Sequence, residues 1–219
     1  MIFRDLEIAV HPDEVTRRLG YRRGAEPRAH LAPRIERLWQ QSLELLHPRG
    51  GFVIVQADRA ESLGVPGAED EVALAACTIG FELEDEAQLR GQHGRPLDSL
   101  VLDALGSAAA EATADALNGA ICSHAFANGR FAKPRISPGY GSWNVGRQSE
   151  LLSTLPTHEL GISLTDRGMM VPQKSVSFAV RFDSISREPE EAWKVCARCG
   201  LLDCDHRKTR NKGGGPSRS

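Results

Sequence analysis

From Leu97 to Ala127 the chain runs without a proline and is rich in alanine and leucine. No other stretch constrains the fold as strongly, because alanine and leucine are the best helix formers and proline is absent from the interior. The spacing predicts one long helix, with Asp98 or Ser99 as its cap. Leu97, Leu100, Val101, Ala104 and Ala108 share one stripe of that helix. The stripe starts with large side chains and becomes small, and its extension lands on Glu111 and Asp115. Two acids four residues apart repel each other by a few tenths of a kcal/mol. If partly buried, they need a cation, which an intramolecular arginine or a cationic ligand could supply. If the apolar stripe turns with the helix, both acids are solvent-exposed. Leu117, Ala120 and Ile121 lie on a different face, which fits that turn.

Other elements are shorter. Residues 12–19 read as a short helix, with Pro12 in its first turn and Asp13 and Glu14 at its positive end. Residues 33–46 read as an amphipathic helix bearing Ile35, Leu38, Trp39, Leu45 and Leu46 on one face. Residues 51–56 and 77–83 are expected strands. Between Gln173 and Asp183, Val176, Phe178, Val180 and Phe182 alternate with Ser175, Ser177, Ala179 and Arg181, the signature of a strand. No strand ends in a Rossmann or P-loop glycine pattern. The class reads as α+β or mixed α/β, and α+β is the expectation adopted.

The loop after the long helix carries Arg135-Ile-Ser-Pro-Gly-Tyr, then Gly141 and Trp143. Pro138-Gly139 fits the centre of a type II turn. Arg135 offers a fork for a carboxylate. Tyr140 and Trp143 offer flat faces for an aromatic ring. Arginine, exposed backbone and aromatics so close together suit a zwitterionic molecule with a ring; an ordinary surface turn with a packed tyrosine fits the composition as well.

Formal net charge is −2, with 27 basic and 29 acidic side chains, which argues against a nucleic-acid partner. No apolar run approaches the roughly 20 residues of a membrane span, and the first residues lack a signal-peptide core. The expected compartment is the cytoplasm.

Cys196, Cys199, Cys204 and His206 form a C-x2-C-x4-C-x-H cluster. Three thiolates and an imidazole make a tetrahedral donor set for zinc. Cysteine ligation also suits an iron–sulfur cluster. His206 is the weakest ligand of the set, since Asp203 or Asp205 could replace it. Cys77 and Cys122 sit in apolar surroundings and read as small buried side chains. Met169 and Met170, before Pro172, read as packing. Residues 207–219 carry five basic residues, no acidic ones and three consecutive glycines, so they are expected to be disordered. The expected organisation is an N-terminal portion packing on the core (1–70), a core (71–190), a Cys-rich metal-binding segment (191–206) and the basic tail.

The Arg135–Tyr140 motif is followed by Gly161-Ile-Ser-Leu-Thr-Asp-Arg-Gly-Met-Met-Val-Pro-Gln-Lys-Ser-Val-Ser. Together they resemble the activation (reactivation) domain of cobalamin-dependent methionine synthase, over roughly residues 70–185. The resemblance implies a twisted, mainly antiparallel sheet flanked by helices. It also implies S-adenosylmethionine as ligand, lined by Arg135, Ile136, Ser137, Pro138, Gly139 and Tyr140, with Glu111 opposite. On that reading the cationic parts of the ligand face Glu111, its carboxylate or ribosyl oxygens Arg135, and its adenine the Pro138–Tyr140 backbone. The implied job is a stand-alone subunit supporting reductive methylation of cob(II)alamin on a partner methionine synthase, with the electron from a reductant protein. No catalytic nucleophile or base is implied. Two alternatives stand beside it: service to another corrinoid methyltransferase, or a metal-binding interaction module without this ligand. One departure from the family is plain. The tyrosine expected after the Ser-Val-Ser strand has no counterpart, because the only tyrosines are Tyr21 and Tyr140.

Overall fold

A computed structural model describes residues 1–22 and 27–184. The Cys196, Cys199, Cys204 and His206 cluster and the basic tail lie outside the described residues. The elements in chain order are β1 (Ile2–Phe3), α1 (Pro12–Arg18), α2 (Ala32–Ser42), β2 (Arg49–Val55), α3 (Ala57–Ser62), β3 (Val72–Thr78), α4 (Glu82–Gln92), α5 (Pro96–Ala127), β4 (Phe131–Ala132), α6 (Gln148–Ser153), α7 (Thr157–Leu160), β5 (Ser163–Leu164), β6 (Met170–Val171) and β7 (Ser175–Asp183). β1, β2, β3, β7 and β4 form an antiparallel sheet in that order, and β5 pairs with β6 in a small ribbon. This is the mixed architecture of helices and antiparallel sheet that the sequence predicts.

The register explains the layering. Within β3 every residue from Val72 to Thr78 is buried. Val72, Leu74 and Ala76 face a cluster with Leu63, Trp143, Leu151, Leu155 and Leu160. Ala73, Ala75 and Cys77 face the opposite side, under Ala114, Leu117, Ile121 and Ala125 of α5. A strand covered on both faces shows no polar alternation, and its alanines conceal it further. The expected strand over 77–83 is therefore corrected. The strand ends at Thr78, Gly80 turns the chain at φ +88°, and Leu83 belongs to α4.

α5 has two jobs. Its first half packs with α1, α2 and α4 around Leu38, Leu83, Val101, Leu102 and Leu105. Its second half crosses the sheet, so the buried face shifts to Ala114, Leu117, Ile121 and Ala125. Close approach there is possible because Gly50 of β2 has no side chain. A Cβ at Gly50 would lie 2.9 Å from Leu117 Cδ2 and 2.8 Å from Cys77 Cβ.

The helix begins one residue before Leu97, with Pro96 in the first turn and no side-chain cap. Asp98 is not a cap. It is fully buried, accepts from Arg34 Nε at 2.5 Å, and pairs with Arg95 at 2.5 Å and Arg90 at 3.4 Å. Hydrogen bonding and charge from Arg34, with Arg95 adding to them against the cost of burial, hold its carboxyl below the usual carboxylate range. One carboxylate thereby ties α2 and α4 to the start of α5. Among the described residues no helix is long and apolar enough to cross a membrane.

Candidate functional site

Arg135 is positioned by the sheet edge. Beyond β4 the chain continues alongside β7, with Lys133 N–H donating to Arg181 O at 2.8 Å. Ile136 and Ala179 then exchange backbone hydrogen bonds of 2.9 and 2.7 Å. Arg135 lies between these two anchors, and its guanidinium sits 5.5 Å from the centre of the Phe178 ring. Phe178 is held on the sheet face that α5 covers. The arginine is thus pinned between strand and helix.

Across from it are the two acids of α5. Arg135 Nη2 lies 2.7 Å from Glu111 Oε2 and 3.1 Å from Asp115 Oδ1. The cation that engages the acid pair is therefore an intramolecular arginine. The acids themselves are 50% and 65% exposed, so they sit at the mouth of the site. Val101, Ala104 and Ala108 of the predicted stripe are buried, and beyond them the buried face moves to Ala114, Leu117 and Ile121, leaving both acids outside it. Half-exposed ion pairs are worth about 0–1 kcal/mol each. Nη1 of Arg135 is different: it is buried and has no acceptor among the described residues. A buried, unpaired donor costs about 1–3 kcal/mol. The site therefore holds one weakly engaged carboxylate pair and one guanidinium edge that wants an acceptor.

The turn follows at once. Tyr140 N–H donates to Ser137 O at 3.1 Å, and Gly139 has φ +93°, which completes the expected type II turn around Pro138. Gly139 N–H donates to Trp143 O at 2.8 Å, and Trp143 N–H to Tyr140 O at 3.1 Å. These three donors are used within the loop, and its glycines leave bare Cα surface for a ligand. Tyr140 is 74% exposed and has a ring face free for stacking. Trp143 does not. It is buried in the core and its indole N–H donates to Leu63 O at 3.0 Å, so its expected role as a stacking face is corrected. The tryptophan anchors the loop instead.

Beneath the arginine lies Cys77, buried as expected. Burial pushes its thiol up to about 12, against the opposing pull of Arg135. Cys122 is only half-buried, with burial again raising its thiol. Met170 packs against the core, whereas Met169 is exposed, contrary to its reading as packing. Among the described residues no group of His, Cys, Asp and Glu is placed to hold a metal ion.

Sequence reasoning missed Asp115 as a second partner of Arg135 and Phe178 as the surface beneath it. The i+4 spacing of the acids was the available signal for the first. The alternation of β7 gave Phe178 a face but not its neighbour.

Residues 62–188 match the family model described as "Vitamin B12 dependent methionine synthase, activation domain", which is more than half of the chain. The chain belongs to this family. The fold agrees with a solved structure, the crystal structure of the MetH reactivation domain bound to AdoHcy, at a TM-score of 0.59 and 16% identity. The alignment covers 81% of this chain and 75% of that one. No curated protein sequence matches this activation-domain chain.

Proposed function

We propose that this chain binds S-adenosylmethionine between α5 and the Arg135–Tyr140 turn and orients it for reductive methylation of cob(II)alamin on a partner methionine synthase. The observation that carries the reading is the Arg135 guanidinium: it is shared by Glu111 and Asp115 on one edge, unpaired and buried on the other, and it belongs to the matched family region. A zwitterionic ligand suits that arrangement. Its carboxylate would supply the acceptor that Nη1 lacks, and its ammonium or sulfonium would replace the arginine at the two acids. Because both acids are half-exposed, giving up the existing pairs costs little. Pro138 and Gly139 would present backbone to the adenine, with Ile136 and Ser137 completing the wall and Tyr140 lying over the ring. The relative crystallised with AdoHcy, the demethylated form of this donor, supports the choice of ligand.

The chain's contribution is positioning. It binds and aims the methyl donor, and no nucleophile or base of its own is required. The cobalamin supplies the methyl acceptor when the partner is docked, and a separate reductant supplies the electron. Calorimetry with S-adenosylmethionine tests the binding. Reduction and methylation of a methionine synthase partner, with and without this chain, tests the role. A chain that binds the ligand but leaves partner methylation unchanged points to another corrinoid system.

The same reading includes a metal site at Cys196, Cys199, Cys204 and His206, supported by the donor set and its spacing in the sequence. Zinc or an iron–sulfur cluster would fit three thiolates and an imidazole. Metal analysis of anaerobically purified, untagged protein decides it: close to one equivalent of zinc, or iron with labile sulfide, is expected. Less than about a tenth of an equivalent of any metal removes the site.

A further inference from the structure

An apolar groove opens between α1, α2 and the start of α5, separate from the Arg135 site. Its volume is about 90 Å³, and Leu19, Leu31, Ile35, Leu97 and Leu100 line it. Leu100 stands 53% exposed at its edge. That volume falls well short of the roughly 300 Å³ or more of a small-molecule site. It is a size for one or two anchoring side chains of a protein partner.

The charge around the groove is one-sided. Arg34 lines it, with its guanidinium on buried Asp98. Arg95, about half-exposed, shares that same carboxylate, as does Arg90, whose Nε also lies 2.5 Å from Glu86. Arg22 and Arg28 are exposed beside Tyr21 and Leu31. Arg18 adjoins Leu19, and Glu14 is engaged by Arg17 and Arg18. Glu36 and Arg37 offset each other in the charge balance. Basic side chains thus outnumber free carboxylates at this rim, although the whole chain carries a net charge of −2. The rim is a local reversal of sign, and it surrounds apolar anchoring space.

We propose that this groove docks an acidic amphipathic helix of a protein partner. Two apolar side chains at i and i+3 or i+4 would seat among Leu19, Ile35 and Leu100, and flanking glutamates or aspartates would meet Arg22, Arg28, Arg34 and Arg95. The groove begins about 15 Å along α5 from Glu111, taking Val101 as its near edge. Docking here is independent of S-adenosylmethionine and leaves the Arg135 site open.

The test uses the full chain and nitrogen-15 NMR. The probe is a synthetic acidic helix of about 16 residues, long enough to hold helix in water, with leucines at i, i+3, i+4 and i+7 and glutamates between them. The expected result is a set of shift changes centred on Leu19, Ile35 and Leu100, weakened by added salt. Affinity should fall at least tenfold in Leu100→Glu, and also in the double variant Arg22→Glu/Arg28→Glu. Those three side chains are exposed, so the variants keep the fold. Three results overturn the proposal. One is no change up to about 1 mM peptide, the weak end of specific association. Another is an equal response to a scrambled peptide of the same composition. The third is a stronger response at the same residues to a single-stranded oligonucleotide or to phosphatidylserine vesicles.

Discussion

Nη2 of Arg135 lies 2.7 Å from Oε2 of Glu111, joining the loop that follows β4 to the middle of α5 across 24 residues of sequence. The contact ties the two halves of the candidate site to each other before any ligand arrives. It also sets the electrostatic exchange that ligand binding must make. Phe178 below and the backbone bonds of Ile136 keep the arginine in place while its partners change.

Arg135→Ala should weaken S-adenosylmethionine binding at least tenfold in calorimetry. Charge-assisted hydrogen bonds are worth about 1.5–3 kcal/mol, and every 1.4 kcal/mol is tenfold. Arg135→Lys should recover only part of this, because an ammonium lacks the planar fork that reaches both edges. Unchanged affinity in the alanine variant removes Arg135 from the binding role. The ion pairs lost are half-exposed and contribute little to stability; the packing over Phe178 that Arg135→Ala also removes is retained in Arg135→Lys only through the aliphatic stem.

Gly139→Ala should lose about 1 kcal/mol of stability and bind S-adenosylmethionine more weakly. The cause is backbone conformation: φ is +93°, which an L side chain rarely adopts. Crowding is a small part, since the added Cβ would sit 3.6 Å from Val145 Cβ, an ordinary contact. Gly141→Ala at φ +60° serves as the comparison, because it has the same kind of strain but falls after the turn that faces the ligand. Equal binding by both variants would indicate that the turn itself does not touch the ligand.

Asp98→Asn should destabilise the fold by about 1–3 kcal/mol in urea unfolding. Removing one partner of a buried ion pair can cost 3–5 kcal/mol, but the three arginines around Asp98 keep some access to water, which lowers the figure. The pH dependence follows from the depressed carboxyl. A carboxylate whose folded value lies below its unfolded value contributes stability above about pH 4, and that contribution is lost as pH falls through the folded value. Wild type and Asp98→Asn should therefore converge in stability below about pH 4. A constant gap between them down to pH 2 would show that packing, not charge, accounts for the loss.

Long periodic segments were legible. α5 and β7 come within a residue or two of the spans predicted from composition and alternation. β3 was not, because Val72-Ala-Leu-Ala-Ala is poor in β-branched residues and buried on both faces, so it has neither propensity nor alternation to show. Glu111 and Arg135 were visible as chemistry that needs a partner, but their direct contact depends on the hairpin-like return of residues 131–136 along β7, a long-range pairing no local pattern encodes. Asp98 misled for a related reason. An acid near a helix start looks like a cap, and only the approach of α2 and α4 turns it into a buried hub. Trp143 looked like a free ring because its loop is rich in glycine; the indole instead fills the core beside Leu63.

Cys77 gives a prediction at the other end of the pH scale. Its thiol is fully buried under α5 and pushed up to about 12, while an unfolded cysteine titrates near 8.5. A folded value raised above the unfolded one means a contribution present below about pH 8.5 and lost as pH rises toward 12. Between pH 8 and 9.5 wild type should lose about 1 kcal/mol more than Cys77→Ala, which has no thiol to ionise on unfolding. Cys122 is present in both proteins and cancels from the difference. The same burial predicts that Cys77 resists alkylation at pH 8 until denaturant is added, as peptide mass mapping would show. Rapid native labelling of Cys77, together with identical pH profiles for the two proteins, would mean that α5 lifts readily from the sheet above Gly50.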